Sequence, residues 1–175
     1  SSLRTPWNHQ SLNREWISKC LFPVDEFEVS KIIDLKKELI SEGRGFSGQV
    51  WRLNLTYENH RRFPDSIVAK FSSGKPQTQR IVKRYAMNEV EIYQNENISG
   101  NKDIFPKCFF AESNAATNEV CIIMEDLKLN HAPDNITGIS TDEAFIATEG
   151  IAEFHSYWWN NPAMNNLRWL QSPRV

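Results

Sequence analysis

Between Val50 and Tyr57 apolar and polar positions alternate. Trp51, Leu53, Leu55 and Tyr57 share one side, and Val50, Arg52, Asn54 and Thr56 the other. Successive side chains of an extended chain point to opposite faces, so this is the pattern of a half-buried strand. "SIVAKF" (66–71) repeats it, with Ile67, Ala69 and Phe71 opposite Val68 and Lys70. The β-branched stretch 29–40 and the runs "FPKCFFAE" and "EVCIIMEDL" predict three more strands, the last two joined by the polar turn "SNAATN". Helical spacing occurs in three places. Leu12, Trp16 and Cys20 stand four apart, flanked by Ile17 and Leu21, which predicts a short amphipathic helix over 11–21 that ends before Pro23. From Thr78 to Asn97, Val82, Tyr85, Glu89 and Ile92 fall on one face. Over 140–159, Ser140 and Glu143 form a capping box, and two apolar stripes predict a helix covered on most sides. Helix, three strands, helix, two strands, linker, helix is an α+β order built on a five-stranded antiparallel sheet.

Composition narrows the class. The chain has 175 residues, 40% of them hydrophobic, which suffices for one domain with a real core or for part of a larger protein. A net charge of −2 argues against nucleic acid as the main partner. No apolar run approaches the ~20 residues that span a bilayer, and the opening "SSLRTPWNHQ" is too polar for a secretory signal. The three cysteines, Cys20, Cys108 and Cys121, show no metal-ligand spacing. They read as buried structural thiols of a reducing compartment, so the expected location is cytoplasmic.

The candidate chemistry begins at "EGRGFSGQVW", where Gly43, Gly45 and Gly48 stand at the spacing G-x-G-x-x-G and Val50 follows. A dinucleotide fingerprint needs a helix directly after the last glycine. Here a strand follows, so the loop is a hairpin, the setting of a kinase glycine-rich loop that folds over nucleotide phosphates. A glycine-rich hairpin without a ligand has the same pattern. Lys70, amid apolar strand residues, needs an anionic partner if it is buried. Glu89 interrupts the stripe of the next helix and is the natural partner. An edge lysine facing water and a surface glutamate are the plainer alternatives. "CIIMEDL" is an apolar strand ending in Met124, Glu125, Asp126 and Leu127 before a linker, in the manner of a hinge whose main chain meets an adenine edge.

"GRGFSGQVWRLNLTY", "SIVAKF", "NEVEIYQ", "IIMEDL" and "IAEFHSYWW" together resemble, in order, the segments of the small-molecule branch of the protein-kinase-like fold, the aminoglycoside phosphotransferase and choline kinase-like families. The resemblance spans about residues 10–160. It implies that the chain divides into an N-terminal helical extension (1–28), a kinase-like nucleotide-binding N-lobe (29–127), and a hinge linker with the start of a C-lobe (128–175). It implies that Gly43, Gly45, Phe46, Ser47, Gly48 and Val50 cover the phosphates of ATP. Lys70 would contact those phosphates, Glu89 would pair with Lys70, and Met124, Glu125, Asp126 and Leu127 would cradle adenine. It also makes His155 a helix histidine that supports the core.

One part of the family pattern is missing. Catalysis in such enzymes needs an H-x-D-x-x-x-x-N loop and a further metal-binding Asp, and no H-x-D occurs in this sequence. The expectation is therefore the ATP-binding lobe of a small-molecule kinase, inactive as this chain, with Mg²⁺ bound only where a C-lobe is present. No catalytic or metal-binding residue is assigned. The alternatives are a stand-alone nucleotide-binding or regulatory module, and a dinucleotide-binding oxidoreductase. Expected partners are ATP and an unknown small-molecule substrate, with a possible dimer covering apolar surface and neither nucleic acid nor membrane. The basic residues Lys75, Arg80, Lys83 and Arg84 read as a solvated helix face.

Overall fold

The computed structural model describes residues 4–22, 31–41, 48–58, 63–72, 79–95, 98, 104–128, 138–167 and 169–170. Five strands form one sheet: β1 (Ile32–Leu39), β2 (Gly48–Tyr57), β3 (Ser66–Ser72), β4 (Cys108–Asn114) and β5 (Glu119–Glu125). Their order is β1-β2-β3-β5-β4, with every neighbouring pair antiparallel. Among the described residues three α-helices accompany them: α1 (Arg14–Leu21), α2 (Gln79–Gln94) and α3 (Thr141–Trp158). The α+β class and the five-stranded antiparallel sheet expected from the sequence are what the chain forms. Because Gly48 opens a strand rather than a helix, the dinucleotide-binding alternative falls.

The chain separates into two compact units, one of Ser1–Gln94 with Pro106–Asp126, the other of Asn95–Phe105 with Leu127–Val175. In the first unit the sheet is covered on both faces. Helix α1 starts where the Asn13 side chain accepts the Trp16 N–H at 2.8 Å, a cap that holds the α-helix to residue 14 and leaves 9–11 as a separate 3-10 turn. It buries Trp16 and Ile17 against Leu53, Leu55, Ile67, Ala69, Phe71, Cys121 and Ile123. Ile17, Leu53 and Ile67 are fully buried, and each such side chain contributes roughly 1.5–3 kcal/mol. On the other face Ala86 and Val90 of α2 pack with Val120, Ile122 and Met124. The alternation read from the sequence thus puts Leu53, Leu55, Ile67, Ala69 and Phe71 in the α1-side core and Val68 on the α2 side. At the β4–β5 turn the Asn114 side chain accepts the N–H groups of Ala116 and Thr117, and Asn118 takes φ 59°.

In the second unit α3 carries the expected capping box. Glu143 Oε2 accepts the Ser140 N–H at 2.8 Å, and Ser140 Oγ accepts the Glu143 N–H at 3.3 Å. The expectation that this helix is covered on most sides fails, since none of its residues is buried. Among the described residues of this unit, Phe105 meets Phe154 edge to face, and the Ile98 carbonyl accepts the Trp158 indole N–H at 2.8 Å. Phe145 and Ile146 are 66% and 69% exposed. His155 is exposed as well, so it does not support a core. No helix among the described residues is long and apolar enough to cross a membrane.

Candidate functional site

Lys70 sits in the middle of β3, paired in register with Val50 of β2 and Ile122 of β5. Strand alternation sends Ile67, Ala69 and Phe71 toward α1 and leaves Val68 and Lys70 facing α2. There Lys70 Nζ donates to both carboxylate oxygens of Glu89, at 2.8 and 2.6 Å. The two side chains retain 26% and 27% exposure, so the pair is not sealed inside the core.

Helix α2 presents Glu89 differently from the face that the sequence suggested. Among its described side chains Ala86 and Val90 are buried, while Tyr85 is 67% exposed. At about 100° per residue, Glu89 flanks the Ala86–Val90 face and Tyr85 lies further round. Of the predicted stripe, Tyr85 stands in solvent, Ile92 is half-buried, and Glu89 reaches the lysine. Behind the pair, the Tyr93 hydroxyl points at Met124 Sδ, 3.8 Å away, and burial pushes its pKa up to about 12.

The proposed hinge residues divide by role. Met124 is buried in the α2-side core. Glu125 is locked to Lys107: its N–H donates to the Lys107 carbonyl at 2.8 Å, and its Oε2 accepts the Lys107 N–H at 2.7 Å. The Asp126 side chain, only 3% exposed, takes Arg52 Nε at 2.7 Å, Arg52 Nη2 at 3.3 Å and the Ser66 hydroxyl at 2.6 Å. The hydrogen bond to this carboxylate raises the Arg52 pKa above its ordinary value. Leu127 is exposed and begins the second unit. Sequence reasoning missed Arg52 and Ser66. The available signal was their position, since both stand on the α2-facing parity of adjoining strands, where a cation calls for an anion.

Of the glycine-loop residues, Gly43, Gly45, Phe46 and Ser47 lie outside the described residues, as does Lys75. Gly48 and Val50 open β2, Val50 opposite Lys70. A Cβ on Gly48 would lie 2.1 Å from the Phe71 carbonyl oxygen. Close approach of β2 and β3 therefore demands glycine there, whatever the loop binds.

An ammonium has three N–H donors, so Lys70 keeps one beyond the two given to Glu89, with half-buried Val50 and Val68 beside it. Among the described residues no group of three His, Cys, Asp or Glu could hold a metal ion. A model of the ecdysteroid kinase-like family matches residues 42–159. No curated protein and no solved structure matches.

Proposed function

Because the chain belongs to the ecdysteroid kinase-like family, a protein-kinase-like phosphotransferase family, we propose that it is the ATP-binding lobe of a small-molecule kinase. The observation that carries this reading is the Lys70–Glu89 ion pair, held between the central strand and the helix of a five-stranded sheet. A strand lysine oriented by a helix glutamate suits the phosphates of a bound nucleotide: the carboxylate fixes the ammonium in place and leaves one donor free to reach a second anion. Half-buried Val50 and Val68 supply an apolar strip for the base. Gly43, Gly45, Phe46 and Ser47 would cover the phosphates by resemblance alone.

The full reaction would move the γ-phosphoryl group of ATP to a hydroxyl of a small molecule. The family's description points to a steroid alcohol as the acceptor class, and no residue of this chain is assigned to it. The base that orients the hydroxyl needs an H-x-D-x-x-x-x-N segment, which this sequence does not contain. The chain is therefore a nucleotide binder that does not transfer phosphate by itself. Calorimetric titration with ATP, with Lys70→Ala as the control, tests the binding. A radiolabelled ATP assay with polyhydroxylated steroids tests the lack of transfer, and turnover by the purified chain would overturn it.

A further inference from the structure

The Arg52–Asp126–Ser66 cluster is separate from the Lys70–Glu89 pair and has a geometry of its own. Its carboxylate stands one residue past β5, and the groups that grip it come from β2 and β3. Three strands thus converge on one buried anion. Taking an ion pair out of water costs desolvation that hydrophobic residues of similar volume would avoid, so stability alone does not explain it. What the cluster supplies is a fixed main chain: the exit of β5 cannot slide along β2 or β3 without breaking three bonds to one carboxylate.

The place of that exit matters. Ser66, Val68 and Lys70 share one face of β3, so the cluster and the Lys70–Glu89 pair are the two ends of one row, about 13 Å apart at strand spacing. Between them lies Val68. Val68 pairs in register with both Arg52 and Met124, and Val50 with Lys70. An ammonium beside Val50 at one end, half-buried Val68 in the middle and a rigid strand exit at the other end fit the phosphates and base of one nucleoside triphosphate laid along the row.

We propose that Asp126 is a positioning residue for the base end of this site, acting through Arg52 and Ser66 to hold the β5 exit where the base is recognised. The inference rests on the nucleotide reading given above. It predicts that the two ends of the site can be weakened separately.

The test measures the affinity of the chain for ATP and for inorganic tripolyphosphate, which lacks the base. In the parent, ATP should bind more tightly than tripolyphosphate. Asp126→Asn keeps size and a hydrogen-bonding group but loses the charge. It should weaken ATP by roughly tenfold and leave tripolyphosphate within about twofold. Lys70→Ala should weaken both. Ser66→Ala, which keeps the Arg52 ion pair, should give a smaller loss for ATP alone, and it carries the test if Asp126→Asn does not fold. Unchanged ATP affinity in Asp126→Asn and Ser66→Ala, or equal losses for ATP and tripolyphosphate, would overturn the positioning role. A parent that binds tripolyphosphate and ATP equally would do the same. A parent that binds neither would instead overturn the nucleotide reading itself.

Discussion

Gly48, paired with Ser72 across β2 and β3, lies so close to Phe71 that a Cβ on the glycine would stand 2.1 Å from the phenylalanine carbonyl oxygen. The obstacle is main chain, which cannot swing aside as a side-chain tip can. Gly48→Ala must therefore push the strands apart and should cost about 2 kcal/mol, read from urea denaturation at unchanged slope. A variant as stable as the parent would show that the strands can separate freely here.

The Arg52–Asp126 pair should reveal itself as a stability term as well. Arg52→Met removes two donors from a carboxylate whose side chain is 3% exposed. Leaving a buried charge short of partners costs about 3 kcal/mol, and thermal unfolding reads it directly. A shift no larger than that of an exposed ion pair would mean the carboxylate finds water.

Lys37 joins the segment before α1 to the sheet. Its Nζ donates to the carbonyls of His9 and Leu12, each at 2.7 Å, and the His9 ring stacks on Trp51 at 3.9 Å. Lys37→Met should cost about 1 kcal/mol and speed hydrogen exchange over residues 9–12 ahead of the rest of the unit. Exchange that stays uniform would contradict the tether.

The thiols set the alkaline limit. Burial pushes the Cys20 thiol up to about 12 and Cys108 to about 11, and lifts Cys121 as well. A thiol whose folded pKa lies above its ordinary 9.0 stabilises the fold fully below that value and loses the contribution as pH rises through the folded value. Tyr57 and Tyr93, both lifted by burial from 10.0 to about 12, add to the loss at higher pH. Stability should hold to about pH 9 and fall steadily above it, and a thiol reagent near pH 8 should label the native protein far more slowly than the denatured chain. Rapid labelling of all three cysteines in the native state would contradict this.

The sheet was legible because period-two alternation is a short-range signal. Leu53, Leu55, Ile67, Ala69 and Phe71 announce their face without knowledge of what covers it. The Lys70–Glu89 pair was legible in its members, since a lysine amid apolar strand residues calls for an anion. The face of α2 was not, because Tyr85 counts as apolar in a periodic pattern yet stands in solvent, while small Ala86 takes the core position. Helix α3 misled for a related reason: apolar residues on every side say that cover is needed, not that it is present. The Arg52–Asp126–Ser66 cluster joins residues up to 74 positions apart, and no local pattern encodes such a contact.

The most direct measurement is an ATP titration of the parent chain and of Lys70→Ala, each checked for an unchanged unfolding midpoint. Saturable binding by the parent and a loss of roughly tenfold or more in the variant is the expected result. No saturable binding by the folded parent, or equal affinity in Lys70→Ala, would contradict the assignment of this ion pair to a nucleotide.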